Sequence, residues 1–197
     1  MSGLKVGILA LQGASARHAE ALAALGAHPV DIRVPEDLTG VDALVVPGGE
    51  STTMSRLLET ADLFDPVAER LSDGMPAFGT CAGMILLAAD VLDGRPDQRT
   101  FGAVDVAVRR NAFGRQVDSF ETALEVAGLL GGGFPATFIR APVVERVGEE
   151  VEVLATVEGA DGRRRPVLCR QGPVLVAAFH PELSDDLRLH QFFLAGA

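Results

Sequence analysis

The sequence predicts an α/β fold, a three-layer sandwich with a mostly parallel central sheet, from two observations. In the first hundred residues, short apolar segments alternate with segments of helical periodicity. After about residue 100, strand-like segments follow one another closely and are separated by turns such as ADG at 160–162. Alternation favours a parallel sheet covered by helices, whereas closely spaced strands favour antiparallel pairs. We therefore expect the C-terminal half to add antiparallel strands and a hairpin.

The N-terminal half supplies the alternation. Residues 4–11 are almost all apolar, as in strands that are buried on both faces. Apolar residues at helical spacing follow over 14–27, where Gly26 is placed to end the helix. The next expected elements are strands at 28–34 and 41–49, a helix over 51–64, a strand at 75–78 and a helix from about Met84. Ser51 or Thr52 is suited to cap the helix over 51–64.

The C-terminal half contains the segments expected to form the added strands. These segments are 102–108, 151–157, 165–171 and 173–179. A last helix is expected over 184–196, with Ser184 as its cap. Because no repeat or linker interrupts the pattern, we expect one domain over 1–197.

The composition limits the classes of protein to consider. The 197 residues carry a net charge of −10 and no large basic cluster, which argues against nucleic acid or an anionic membrane as partner. Two cysteines do not make a disulfide framework. The apolar run after Lys5 is too short for a secretory signal, and no run is long enough to cross a bilayer. We therefore expect a folded cytoplasmic protein.

Cys81 lies in the segment FGTCAGM, between Gly79 and Gly83. G-x-C-x-G is the thiol counterpart of the G-x-S-x-G nucleophile elbow, in which a sharp strand-to-helix turn exposes the reactive side chain. The amino end of the following helix favours thiolate over thiol. The alternative is a small buried cysteine, which is the usual role of a lone cysteine. The pattern alone leaves both interpretations open.

His180 differs from the other three histidines because it ends an apolar run and is expected at the carboxyl edge of the sheet, as is Cys81. Pro181 favours an extended backbone at His180, so that Glu182, two residues on, lies beside the imidazole. Cysteine, histidine and carboxylate then match nucleophile, general base and orienting group. Alone, His-Pro-Glu predicts only a strand end with a solvated glutamate, but together with the elbow it favours a triad.

The segment PGGEST at 47–52 supplies a glycine pair at another strand end, where backbone N–H groups can stabilise an oxyanion. The alternative is a glycine-rich turn that leads into the next helix. A phosphate-binding loop is disfavoured because no lysine follows the glycines, and a dinucleotide-binding protein is disfavoured because no G-x-G-x-x-G follows the first strand. Scattered histidines and distant cysteines argue against a metal site.

Together these motifs resemble the class I glutamine amidotransferases, and within them the family of glutaminase subunits of pyridoxal 5′-phosphate synthases. The matching segments are LALQG at 9–13 followed by His18, PGGESTTM at 47–54, FGTCAGMILLA at 78–88, RRNAFGRQ at 109–116 with SFE at 119–121, FIRAP at 138–142 and FHPELSDD at 179–186. The resemblance implies a flavodoxin-like three-layer fold that hydrolyses L-glutamine to glutamate and ammonia without a cofactor.

When the roles of the family's residues are assigned to the matching motifs of this sequence, the resemblance implies that Cys81 attacks the glutamine side-chain amide. It also implies that His180 protonates the leaving ammonia and that Glu182 holds His180. The implied oxyanion groups are the backbones of Gly48, Gly49 and Ala82. The implied substrate contacts are Gly49, Glu50, Ser51, Arg110, Ile139 and Arg140. Arg110 also has a physical case, because a guanidinium suits the α-carboxylate of glutamine. The alternative is that Arg109 and Arg110 form an ordinary surface pair.

The resemblance further implies a partner, a separate synthase subunit that makes pyridoxal 5′-phosphate from ribose 5-phosphate and glyceraldehyde 3-phosphate. In the family, up to twelve copies of each subunit assemble, ammonia passes through the protein interior, and docking completes the oxyanion hole. Gln12 and Gly13 are the candidates for coupling docking to that site, although they could simply form the first strand-to-helix turn.

Two other functions remain as alternatives. One is a different cysteine hydrolase on the same fold, peptidase-like or deglycase-like, although such proteins place the acid elsewhere and lack PGGEST with Arg110. The other is a non-catalytic binding module, against which the joint presence of Cys81, His180 and Glu182 argues. Glutamine turnover distinguishes the proposed activity from both.

Overall fold

The computed structural model describes residues 3–110, 119–159 and 161–197. Most of the motif RRNAFGRQ, at 111–116, and Ala160 of the ADG turn therefore lie outside the described residues. The described strands are, in chain order, β1 (Lys5–Leu9), β2 (His28–Ile32), β3 (Ala43–Val46), β4 (Ala77–Thr80), β5 (Ala88–Val91), β6 (Val104–Arg109), β7 (Phe120–Leu124), β8 (Phe134–Phe138), β9 (Val143–Val147), β10 (Glu152–Glu158), β11 (Arg164–Gln171) and β12 (Val174–Ala177).

The central sheet contains seven of these strands in the order β10-β11-β12-β4-β3-β1-β2. The five strands from β12 to β2 run parallel to one another, whereas β11 is antiparallel to both of its neighbours, β12 and β10. Strands β5, β6 and β9 form a smaller sheet, and β7 pairs with β8. The predicted α/β class is confirmed, with its mostly parallel sheet and its antiparallel additions, including the β10–β11 hairpin.

The described helices are α1 (Ser15–Ala24), α2 (Ser51–Thr60), α3 (Phe64–Ser72), α4 (Ala82–Leu87) and α5 (Arg188–Ala195). Helix α1 contacts β1, β2 and α5, whereas α4 contacts β3, β4 and α2. The central strands β3 and β4 are buried along their whole length, as their apolar sequences predict. Within the described ranges, no helix combines the length and apolar character that a membrane crossing requires.

Two predicted helix caps are wrong. The cap of α2 is Glu50, whose carboxylate accepts hydrogen bonds from the backbone N–H groups of Thr52 and Thr53 at 3.0 and 2.8 Å. Two oxygens on one side chain satisfy two N–H groups, which a hydroxyl at Ser51 or Thr52 could not do. The Ser184 hydroxyl accepts from the Asp186 N–H at 3.0 Å, and α5 begins only at Arg188.

Several element boundaries also differ from the predictions. The strand expected at 75–78 is β4, which continues to Thr80, and the helix expected from Met84 begins at Ala82. The pattern over 51–64 contains α2 and the start of α3. Strands β5, β7, β8 and β9 were not predicted, because β5 continues the apolar run of α4 and the other three are short segments of mixed polarity.

Candidate active site

Cys81 forms the turn between β4 and α4. Its backbone has φ +50° and ψ −104°, a strained conformation for a residue with a side chain. Its N–H donates to the Ala177 carbonyl of β12 at 2.8 Å, which holds the turn against the sheet. The tight strand-to-helix turn expected from the sequence is therefore present.

The flanking glycines are needed because backbones approach closely behind Cys81. A Cβ atom on Gly83 would lie 1.9 Å from the Val46 carbonyl oxygen of β3. A Cβ atom on Gly79 would lie 2.7 Å from the carbonyl carbon of Gly83. Any side chain at either position would force β3, β4 and α4 apart, so the G-x-C-x-G pattern reflects packing of the elbow.

His180 and Glu182 lie next to Cys81 because β12 and β4 are parallel neighbours, with Ala177 opposite Thr80. His180 Nδ1 lies 2.7 Å from Glu182 Oε1, and the Glu182 side chain is fully buried. The backbone after His180 enters a short 3₁₀ turn over Pro181–Leu183. The two side chains therefore meet, as expected, although the chain that joins them is less extended than the sequence predicts.

The protonation states of this pair follow from their mutual contact. Burial acts to raise the pKa of Glu182, but the hydrogen bond with His180 and the nearby His18 lower it overall. Burial acts to lower the pKa of His180, but hydrogen bonds with Cys81 and Glu182 raise it to about 10. An ionised Glu182 only accepts hydrogen bonds, so His180 Nδ1–H donates to it and Nε2 is left to face Cys81.

The loop after β3 presses its backbone against this pair. A Cβ atom on Gly48 would lie 2.5 Å from His180 Cε1 and 3.4 Å from Cys81 Cβ, so only glycine fits there. The first strand-to-helix turn touches the same loop, because Gln12 Oε1 accepts from the Glu50 N–H at 3.2 Å. A Cβ atom on Gly13 would lie 1.8 Å from the Gly48 carbonyl oxygen. Gln12 and Gly13 thus support the loop that carries the glycine pair.

A cavity of about 220 Å³ opens in front of Cys81. Its lining residues are Gly49, Glu50, Ser51, Cys81, Ile85, Arg110, Ile139, Arg140 and His180. The structure therefore brings all six expected substrate contacts together with two members of the expected triad. Ile85, on α4, is an addition that sequence reasoning missed, since it reads as an ordinary core residue of the helix.

Arg110 and Arg109 occupy different environments. The Arg110 side chain is 20% exposed and donates through Nη1 to Thr52 Oγ1 at 2.7 Å, in the first turn of α2. The Arg109 side chain pairs with Glu145 at 3.3 Å on the surface. Only Arg110 faces the cavity, so the alternative of a simple surface pair holds for Arg109 alone.

Sequence reasoning set aside two histidines that the structure places behind the triad. His18 Nε2 lies 3.4 Å from Glu182 Oε2, and His18 Nδ1 lies 2.9 Å from His190 Nε2. His18 lies on the buried face of α1 with Ala21 and Leu22, a helical spacing that could have indicated burial. Across the described residues, no group of three or more His, Cys, Asp or Glu side chains is arranged to hold a metal ion.

An α/β sheet that carries a cysteine elbow beside a histidine–glutamate pair is the arrangement that the motifs predict for a glutamine amidotransferase. The chain belongs to the SNO glutamine amidotransferase family, whose model matches residues 8–196. The family resemblance drawn from the motifs is thereby confirmed.

Individual relatives match over nearly the whole chain. The pyridoxal 5′-phosphate synthase subunit PdxT of Salinispora arenicola is 55% identical over 193 residues, which cover 98% of this chain and 96% of that protein. The protein of the same name from Nocardia farcinica is 58% identical over 189 residues, covering 96% and 84%. A crystal structure described as a glutamine amidotransferase superposes with a TM-score of 0.88 at 51% identity and covers 98% of this chain and 99% of its own.

A more distant structure supports the fold alone. A putative GMP synthase subunit from Thermoplasma acidophilum superposes with a TM-score of 0.67 at 17% identity, covering 99% of this chain and 94% of its own. The sheet and its helices are therefore shared well beyond the family.

Proposed function

We propose that this chain is a cytoplasmic glutaminase that hydrolyses L-glutamine to L-glutamate and ammonia. It delivers the ammonia to a synthase subunit that makes pyridoxal 5′-phosphate from ribose 5-phosphate and glyceraldehyde 3-phosphate. The observation that carries the proposal is a single cavity lined by Cys81, His180 and Arg110, a nucleophile, an acid–base group and an anion-binding group. Family membership and relatives named as pyridoxal 5′-phosphate synthase subunits support the partner.

The first half of the proposed reaction forms a thioester. Cys81 Sγ attacks the side-chain amide carbon of glutamine, and the carbonyl oxygen becomes an oxyanion. Backbone N–H groups of the Gly48–Gly49 loop and of Ala82, at the start of α4, are the proposed donors to it. His180 gives its proton to the amide nitrogen, the C–N bond breaks, and ammonia leaves. Its pKa of about 10 keeps His180 protonated for that transfer at neutral pH.

The second half releases glutamate. The neutral His180 takes a proton from water, and the resulting hydroxide attacks the thioester carbon. The C–S bond then breaks, and Cys81 is regenerated beside a protonated His180. Glu182 accepts from His180 Nδ1–H throughout, which fixes the ring so that Nε2 serves both halves.

Substrate recognition is proposed to depend on Arg110. The guanidinium lies beside the first turn of α2, where Thr52 accepts its hydrogen bond. An arginine and a helix amino terminus both favour a carboxylate, so the α-carboxylate of glutamine fits there. Glu50 lines the same cavity, but its carboxylate caps α2, so its proposed role is to hold the first turn of that helix beside the substrate. The remaining expected contacts are Gly49, Ser51, Ile139 and Arg140.

Coupling to the partner is proposed to act through the first strand-to-helix turn. Gln12 and Gly13 contact the loop of the glycine pair, so docking that moves this turn would move the loop. Loss of one oxyanion donor costs about 10²–10³ in rate, enough to keep an undocked glutaminase nearly silent.

Ammonia release from L-glutamine tests the proposal, measured with and without the cognate synthase subunit. Cys169→Ala, at the other cysteine, is the control, because Cys169 does not line the cavity. The wild type and Cys169→Ala should release ammonia with the partner, and Cys81→Ala should not. Release that requires the partner supports both the triad and the coupling, whereas equal release without it contradicts the coupling. An intact complex that releases no ammonia would contradict the glutaminase and favour a binding module.

A further inference from the structure

Glu182 has a second imidazole beside it. Its Oε1 contacts His180, whereas its Oε2 lies 3.4 Å from Nε2 of His18, and the side chains of Glu182 and His18 are both fully buried. Oε2 makes no hydrogen bond of regular geometry with the described residues. A buried carboxylate oxygen without a donor is costly, so the N–H of His18 is a significant polar neighbour of this atom.

His18 is also held by two other elements of the fold. His18 Nδ1 lies 2.9 Å from His190 Nε2 on α5, and His18 Nε2 lies 3.3 Å from Thr80 Oγ1 at the end of β4. The titratable groups that act on His18 are Glu182 and His180 on one side and His190 on the other. His18, His190 and Thr80 are fully buried, so the ring cannot turn without disturbing the interior.

The contacts also determine where the protons lie. Burial and the neighbouring His18 lower the pKa of His190 to about 4, so His190 is neutral at pH 7 and carries one N–H. Its Nδ1 is buried without a hydrogen-bond partner among the described residues. A proton on Nδ1 would be a buried unpaired donor, whereas a proton on Nε2 is donated to His18 Nδ1.

The proton of His18 then lies on Nε2. Burial lowers the pKa of His18, so this ring is also neutral and carries one N–H. Because His18 Nδ1 accepts from His190, the His18 N–H points towards Glu182 Oε2 and Thr80 Oγ1. The opposite arrangement would set a nitrogen lone pair against the carboxylate, which is repulsive.

We propose that His18 is a positioning residue for the triad, whose Nε2–H holds Glu182 ionised and oriented with Oε1 towards His180. His18 does not line the glutamine cavity, so it acts on His180 through Glu182 and leaves substrate binding unchanged. This inference deepens the proposed glutaminase reaction, and its kinetic test rests on that proposal.

The direct test is the titration of His180 in the isolated chain, followed by NMR of ¹⁵N- and ¹³C-labelled histidine. His18→Leu removes the N–H, His18→Gln keeps a donor at the position of Nε2, and the exposed His28→Gln is the matched control. In the wild type, His180 should stay protonated up to about pH 10. In His18→Leu the pKa of His180 should fall by about one unit, a tenfold loss of proton affinity, and His18→Gln should retain most of it.

Glutamine hydrolysis by the complex with the synthase subunit is the second readout. For His18→Leu we expect kcat to fall about 10- to 100-fold, the scale of one hydrogen bond to a charged group, with KM unchanged. His18→Gln should recover most of the rate. If the leucine variant does not fold, His18→Met serves as the variant without a donor.

Two results would overturn the inference. One is a folded donor-free variant in which the pKa of His180 and kcat match the wild type. The other is an equal loss in the donor-free and glutamine variants, which would indicate packing alone. The NMR titration needs no turnover. It therefore tests the role of His18 even if the chain does not hydrolyse glutamine, and the two failures can be told apart.

Discussion

The chain has two cysteines, and both are buried: Cys81 is 8% exposed and Cys169 is fully enclosed. Cys81 follows the last residue of β4, at an edge of the sheet that opens into a cavity. Cys169 lies within β11, between Val153 of β10 and Val176 of β12. Burial raises the pKa of the Cys169 thiol to about 12. Cys81 instead lies beside His180. Burial acts to lower the pKa of that imidazole, but its interactions with Cys81 and Glu182 raise it to about 10.

This difference indicates that the position of a cysteine along its strand determines whether its thiol is reactive or structural. A residue in mid-strand is flanked by apolar neighbours on paired strands, so nothing stabilises a thiolate there. A residue just after a strand meets the ends of the neighbouring parallel strands, and in this fold those ends deliver His180 and the Gly48 loop.

The largest expected effect is in alkylation by iodoacetamide. At pH 8 only about one Cys169 thiol in 10⁴ is ionised, because each pKa unit is a factor of ten. We expect Cys81 to react more than about 10²-fold faster, since the thiolate is the nucleophile. Mass spectrometry of peptides from timed reactions measures both rates. Similar alkylation rates at the two cysteines would contradict the distinction between a reactive Cys81 and a structural Cys169.

The next effect concerns the cavity that Cys81 lines and Cys169 does not. Arg110→Met should raise KM for glutamine in the complex about 10- to 100-fold, the scale of a lost charge-assisted hydrogen bond. Arg109→Met is the matched control, because Arg109 pairs with Glu145 on the surface. Steady-state ammonia release measures both variants. An equal change in KM for the two variants would contradict the assignment of Arg110 to the substrate.

A smaller effect is expected on stability at the other cysteine. Cys169→Ser buries a hydroxyl among apolar strands and should lower the free energy of unfolding by about 1–3 kcal/mol. Cys169→Ala is the control that removes the sulfur without adding a polar group. Urea denaturation of the isolated chain measures both. A serine variant that is no less stable than the alanine variant would show that this site accommodates polarity.

The smallest expected effect concerns Glu50, which lines the same cavity as Cys81 but has a structural role as the cap of α2. Burial acts to raise the pKa of Glu50, but hydrogen bonds from Thr53 and Thr52 lower it to about 2. The cap therefore stabilises the folded chain fully above the ordinary carboxyl pKa of 4.5 and loses its effect as the pH falls towards 2. Glu50→Ala should cost about 1 kcal/mol at pH 7, and the cost should shrink below about pH 4.5.

Urea denaturation at a series of pH values measures this cost, with the exposed Glu149→Ala as control. A cost that does not depend on pH would contradict the capping role of Glu50.

The sequence predicted those parts of the molecule that local patterns encode. The Cys81 elbow follows from two glycines and the strand before them. The contact of His180 with Glu182 follows from their place just after a strand, although a 3₁₀ turn joins them where the proline had suggested an extended backbone. The cap of α2 was mispredicted, because a glutamate one residue upstream competes better for two N–H groups than a hydroxyl does. The contacts of His18 with Glu182 and His190 join α1 to the C-terminal turn and helix, and no local pattern records such a contact.

The most direct test of the central claim is covalent labelling by 6-diazo-5-oxo-L-norleucine, a glutamine analogue in which a diazomethyl ketone replaces the side-chain amide. A thiolate that attacks this group forms an S–C bond and N₂ leaves. The chain is incubated with the analogue and the synthase subunit, and adducts are mapped by mass spectrometry. The proposed site predicts one adduct, on Cys81, that excess L-glutamine prevents and that Cys81→Ala lacks. An adduct on Cys169, or labelling of Cys81 that glutamine does not reduce, would contradict a glutamine-binding cavity built around Cys81.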